Sequence, residues 1–152
     1  MNKSEVIAAI LERLREEFES RRRVSKLTRD EGNSAESKAE SKYDTLAIEE
    51  NYLADGLARQ AHAAAEAIAE IEKMPEHTFA GDEPIDVGAL VELQFSDTSE
   101  WFFLAPAGGG TEVTYQGITI TVITHESPLG SQLLGCRIGD TTAQSAKILR
   151  VM

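Results

Sequence analysis

The sequence predicts an α+β protein in which an antiparallel helical hairpin, a two-helix coiled coil, precedes a small antiparallel β-domain carrying one short helix. Three observations carry that prediction. Apolar residues recur at spacings of three and four over the first half of the chain, and the period falls to two further on. Between these regimes lies Pro75 to Asp86, a stretch rich in Pro, Gly and acid. The 152 residues suffice for two small domains. The expected division is a helical hairpin at 1–74, a linker at 75–86 and a β-domain at 87–152.

The first helix opens at Asn2, with Glu5 three residues later as in a capping box. Val6, Ile7, Ile10, Leu11, Leu14 and Phe18 then form one apolar face. Glu19 to Arg23 is poor in apolar residues, and Val24 and Leu27 are expected to resume the stripe. An end near Leu27 gives a helix roughly 35 Å long. Thr28 to Glu36 is polar throughout and is read as the turn at the hairpin tip. The second helix is expected to open at Asn33, with Glu36 at the third position, and to run to Met74, where Pro75 stops it. Its coiled-coil ladder is Leu46, Glu50, Leu53, Leu57, Gln60, Ala64, Ala67 and Ile71. The short connection makes the helices antiparallel.

Beyond the break, Leu90 to Phe95, Trp101 to Leu104, Ile118 to Ile123 and Ala146 to Val151 read as strands. Trp101 and Phe103 point to one face and Phe102 to the other, which reads as core, with an exposed aromatic at a partner interface as the alternative. Gly108-Gly109-Gly110 reads as a hairpin loop, because no Lys-Ser/Thr pair follows to make a phosphate cradle. In Ser127 to Gly135, Ser caps, Pro takes the first helical position and Gly terminates, which gives a helix of about two turns.

Composition narrows the function. A net charge of −11 opposes binding to free DNA, so nucleic-acid contact has to be local. The positive charge is concentrated in residues 1–74, with twelve bases against sixteen acids, while 75–152 holds three bases against ten acids. No stretch reaches the roughly 20 apolar residues of a membrane span, and the N-terminus lacks the features of a signal peptide. The single Cys136 can make no internal disulfide. A cytoplasmic protein is expected. Cys136 reads as a small buried side chain, and His62, His77 and His125 as scattered surface residues without metal-ligand spacing.

Ser127-Pro128-Leu129-Gly130 and Leu133-Leu134-Gly135-Cys136-Arg137-Ile138-Gly139-Asp140, placed after a long helical hairpin with an acidic tip, resemble the bacterial Gre transcript-cleavage and elongation factors. The resemblance covers nearly the whole chain and is most specific at 127–140. It implies an FKBP-like C-terminal domain, with Ser127, Pro128 and Leu129 at the surface that docks on RNA polymerase. The hairpin then enters the polymerase's secondary channel, and its tip reaches the active site. The chain itself is not an enzyme on this reading. The implied chemistry is hydrolysis of backtracked RNA by the polymerase, with a Mg²⁺ ion held jointly by the polymerase and carboxylates of the tip.

The family pattern at the tip is Gly-Asp, two residues, then Glu-Asn, and here the stretch reads Gly32-Asn33-Ser34-Ala35-Glu36-Ser37. Glu36 stands at the Glu position and is the implied metal-facing carboxylate. The Asp position holds Asn33, whose amide cancels no metal charge, with Asp30 and Glu31 nearby as substitutes. A second reading of Asn33 and Glu36 is a capping box that starts the second helix. Arg22, Lys26 and Arg29 fall on one helical face, and with Asn33 they are the implied contacts to polymerase and to the nascent RNA 3′ end. The alternative is a solvated face paired with Glu17, Glu19 and acids of the second helix. Two other functions stay open: a non-cleaving factor that blocks the channel or competes with cleavage factors, and a coiled-coil adaptor whose β-domain binds another protein.

Overall fold

A computed structural model describes residues 1–36 and 44–152, with the side chains at 32, 34–36 and 44–46 outside the description. The elements in order are α1 (Lys3–Glu36), α2 (Asp44–Lys73), β1 (Leu90–Phe95), β2 (Thr98–Ala105), β3 (Glu112–Tyr115), β4 (Ile118–Thr124), α3 (Pro128–Leu133) and β5 (Lys147–Val151). Helices first and a sheet with one short helix afterwards is the expected α+β arrangement. The chain forms two compact units: Arg15–Glu66, and Met1–Leu14 together with Ala67–Met152.

In the sheet-bearing unit the strand order is β3-β4-β2-β1-β5. β1 pairs antiparallel with β2 and β5, and β3 with β4, whereas β2 and β4 run parallel. The sheet is therefore mixed where a purely antiparallel one was expected. The Gly108 to Gly110 loop joins β2 to β3, which are not neighbours, so it is a crossover and not the tip of a hairpin. β3 itself was not foreseen.

Strand alternation sends Leu90, Trp101, Phe103, Ile120 and Val122 to one face, where Val6, Ile10 and Leu14 of α1 and Ala67 and Ile71 of α2 cover them. Val91, Leu93, Phe102, Leu104, Ile123 and Ile148 fill the other face beneath Leu133 of α3. Phe79 and Ile85, from the stretch read as a linker, are buried in this second cluster. The sheet is covered on both sides, which is why β1 reads as a nearly continuous apolar run. Glu92 interrupts that run, and its buried carboxylate lies 3.1 Å from the Arg150 guanidinium of β5.

α1 begins as expected. Asn2 Oδ1 accepts from the Ser4 amide at 3.1 Å, and Asn2 Nδ2 donates to Glu5 at 3.0 Å. Its other end differs from expectation. Residues 28–36 continue the helix, so Asp30, Glu31, Gly32 and Asn33 lie in its last turns and Asn33 starts no second helix. The capping-box alternative at Asn33 and Glu36 falls with it, because α2 opens only at Asp44.

Within the Arg15–Glu66 unit the helices pair antiparallel: Ser25, eleven residues before the end of α1, meets Ala54, ten residues after the start of α2. The seam on α2 is alanine: Ala47, Ala54 and Ala61 repeat every seven residues and are buried, with Ala64 continuing the ladder. The expected ladder had Glu50, Leu57, Ala64, Ala67 and Ile71 in phase, but placed Leu53 and Gln60 one residue short of these alanines, while the Leu46 side chain lies outside the described residues. Leu53 is 57% exposed. On α1 the buried position is Ser25, while Val24 and Leu27, expected in the stripe, are 44% and 57% exposed. Ser25 can be buried because its Oγ donates to the Ala54 carbonyl at 2.8 Å.

Candidate functional site

The basic stripe is a structural fact. Arg22, Lys26 and Arg29 line one groove of about 380 Å³ in the Arg15–Glu66 unit. Phe18, Ala58 and Ala61 provide apolar lining, and His62 contributes from the α2 side. Residues four and three apart on a helix share a face, which is how the spacing 22, 26, 29 produces the row. Part of this charge is neutralised within the unit. Arg29 Nη2 bonds Asp55 Oδ1 at 2.7 Å, Arg21 pairs with Glu17 at 3.1 Å, and Arg22 is 4.0 Å from Glu19. The Arg29–Asp55 and Arg22–Glu19 pairs are exposed, and exposed pairs contribute little to stability.

The acidic candidates are arranged differently from expectation. Asp30, Glu31 and Asn33 are exposed positions on a continuing helix and not members of one turn. Successive residues of a helix point about 100° apart, so Asp30 and Glu31 do not converge on one point. Glu36 closes α1, and its side chain lies outside the described residues. Among the described residues no group of three or more His, Cys, Asp or Glu side chains is placed to hold a metal ion.

Ser127, Pro128 and Leu129 sit at the start of α3. The Ser127 hydroxyl accepts from the Gly130 amide at 3.0 Å and donates to the Thr124 carbonyl at 2.7 Å. It therefore caps the helix, Pro128 stands exposed beside it, and Leu129 packs partly against the core. Cys136 is half-buried, its thiol donating to the Gln132 carbonyl at 3.0 Å. No helix among the described residues is long and apolar enough to cross a membrane.

A second cluster escaped the sequence reading, which took His77 as an isolated surface residue. The Lys3 ammonium donates to the His77 carbonyl and to the Met152 carbonyl, and lies 4.8 Å from the Phe79 ring centre. His77 Nε2 is 2.7 Å from Glu83 Oε1, and its ring meets Phe79 edge-on. The only signal in the sequence was the closeness of His77, Phe79 and Glu83 within a stretch that looked like a linker. Burial pushes the Lys3 ammonium pKa down, with Glu83 acting in the opposite direction.

The Glu83 carboxyl is held below its usual range, first by the Ala80 amide and then by His77. A depressed carboxyl pKa adds stability at neutral pH, and that contribution is lost as pH falls through the lowered value. Glu83→Gln is therefore expected to flatten the acid limb of the stability profile below about pH 4. Thermal melts of both proteins over an acid pH series test this, and parallel acid limbs would refute it.

No protein-family model matches the chain, and no curated protein matches it. Among solved structures it is similar to the GreA factor homolog 1 (Gfh1) protein of Thermus thermophilus, at 19% identity over 97% of this chain and 93% of that one, with a TM-score of 0.36. A structure of the transcription factor Gfh1 gives 19% identity, coverage of 94% and 93%, and a TM-score of 0.35. Thermus aquaticus Gfh1 gives 19%, coverage of 95% and 94%, and 0.34. Likenesses of this size carry no argument about activity.

Proposed function

We propose that this chain is a Gre-type transcription elongation factor that binds RNA polymerase through the secondary channel and presents the end of its helical pair to the active site. The supporting observation is the order of parts. Two antiparallel helices, bearing exposed carboxylates on the last turns of α1, precede a mixed sheet with the Ser127-Pro128-Leu129-Gly130 helix start. Pro128, with Ser127 and Leu129 beside it, docks on the polymerase. Arg22, Lys26, Arg29 and Asn33 contact polymerase and the RNA 3′ end, and the groove they share in part supports a common ligand for the three cations. The net charge keeps the protein off free DNA. A cytoplasmic location belongs to the same reading.

In the cleaving form of this function Glu36, with Asp30 or Glu31, supplies oxygen donors to a Mg²⁺ ion held jointly with the polymerase. When bound, that ion activates a water and stabilises the leaving oxygen. The chain's own residues only orient donors and offset charge. A non-cleaving channel factor is the second reading, and one observation favours it. α1 continues through residues 30–36, so Asp30 and Glu31 are not gathered in a turn, and the remaining position holds the neutral Asn33.

RNA shortening in stalled polymerase complexes separates the two. Stimulated shortening that falls about tenfold or more in Glu36→Ala, with polymerase binding intact, is expected of a cleaving factor. Binding without shortening at saturating protein assigns the non-cleaving role. Failure to bind polymerase rejects both and leaves the adaptor.

A further inference from the structure

The two edges of the sheet differ. On the β5 side, residues 139–142 lie along the strand: the Gly139 amide donates to the Ile148 carbonyl at 2.9 Å, the Ile148 amide donates to the Asp140 carbonyl at 2.9 Å, and Thr141 bridges to Lys147. β5 also carries Lys147 and Arg150, charges of the kind that keep sheet edges apart. β3 is the opposite edge and pairs with β4 alone. Its sequence, Glu112-Val113-Thr114-Tyr115, holds no Lys, Arg or Pro.

Which backbone groups β3 leaves open follows from its turn. Gln116 and Gly117, with φ of 51° and 81°, make a two-residue turn between the paired Tyr115 and Ile118. The residues flanking such a turn exchange both hydrogen bonds, and bonded and non-bonded pairs then alternate along an antiparallel ladder. Tyr115 and Val113 therefore bond to β4, in phase with the Thr111 carbonyl, which accepts from the Val122 amide at 2.8 Å. Glu112 and Thr114 turn their amides and carbonyls outward, where among the described residues no hydrogen-bond partner meets them. Both side chains are exposed.

We infer that β3 docks against β3 of a second copy of this chain, antiparallel about a two-fold axis at Val113. Two outward residues separated by one are self-complementary: Glu112 of each copy faces Thr114 of the other, and each pair exchanges both amide-to-carbonyl bonds. Val113 then meets Val113, a cross-strand pair of β-branched side chains. Charge selects the same register. It sets each Glu112 across from a neutral hydroxyl, whereas sliding one way puts Glu112 against Glu112, and sliding the other way runs the second copy into the turn at Gln116 and Gly117. The sheet becomes continuous through both copies, and the open edge is paired. This surface is separate from the polymerase-facing residues proposed above and does not depend on that function.

Sedimentation equilibrium of the full chain tests this at about 0.15 M salt, where long-range repulsion between acidic copies is screened. The mass is expected to rise with concentration from that of one chain toward that of two. Two exposed changes read the register. Thr114→Lys sets a cation across from each Glu112 and should tighten the dimer about threefold or more, while Thr114→Glu sets like charges there and should loosen it by about the same factor. Ser131→Lys, the same charge change on α3, should leave the association constant unaltered. Amide exchange followed at low and high protein concentration should slow at Glu112 and Thr114 and stay constant at Val113 and Tyr115, whose amides already bond β4. A monomer at every concentration, association that Thr114→Lys and Thr114→Glu move alike, or a dimer in which the Glu112 and Thr114 amides exchange no more slowly would each overturn the proposal.

Discussion

Gly130→Ala is expected to cost the sheet-bearing unit about 3 kcal/mol and to lower its melting temperature by roughly 10–20 °C. A Cβ at this position would lie 2.0 Å from the Thr124 carbonyl oxygen, 2.8 Å from its carbon and 2.9 Å from Ser127 Oγ. Two of these are backbone atoms at the end of β4, which cannot swing aside as a side chain can. The third is the hydroxyl that caps α3. Relief therefore requires α3 to lift from the sheet, which uncovers Leu133, a fully buried member of the core. Gly110→Ala is the control. It has a φ of +89° but nothing within 4 Å of the new methyl, so only backbone strain of about 1–2 kcal/mol applies. Circular dichroism melts compare the two, and equal losses would show that close packing at Gly130 is not what the glycine provides.

Ala54→Leu is expected to destabilise the Arg15–Glu66 unit by about 2–3 kcal/mol. Ala54 is fully buried in the seam, and its carbonyl accepts the Ser25 hydroxyl at 2.8 Å. Three added carbons find no room at that separation. Moving the helices apart would break the Ser25 bond, leaving a buried hydroxyl unpaired, and would pull Arg29 from Asp55. Helix propensity hardly changes between Ala and Leu, so the effect isolates packing. Hydrogen exchange should quicken in residues 47–61 and around Ser25, while the amides of β1 and β2 keep their protection. Leu53→Ala, at an exposed neighbouring position, should change little. Unaltered exchange across the seam in Ala54→Leu would contradict a close alanine interface.

The same seam explains where the sequence misled. Counting large apolar residues placed Val24, Leu27 and Leu53 inside, whereas close helix approach selects for size and puts Ala54 and Ser25 there. A count of hydrophobicity cannot register a serine whose hydroxyl is satisfied by the opposite backbone. The turn at 28–36 failed for a related reason. Gly32 and Asn33 look like punctuation, yet one glycine costs a helix only about 1 kcal/mol, and each further residue adds a hydrogen bond once the helix exists. Strand alternation was legible in β1, β2, β4 and β5, and Ser127-Pro128 marked α3, because those signals are local. β3 is only four residues long, too short for a periodic signal, and the parallel pairing of β2 with β4 joins segments that local pattern cannot relate. Of the candidate site, the cationic row was readable from spacing alone. The Lys3 to His77 link was not, since it joins residues 74 positions apart.

Because Val6, Ile10 and Leu14 close over the sheet together with Ala67 and Ile71, the chain cannot be divided at Pro75 into an arm and a body without stripping one side of the β-core. Any trimming of the arm has to fall between residues 15 and 66. Whole heptads would have to leave both helices together, so that alanine again meets serine and the remainder keeps its phase.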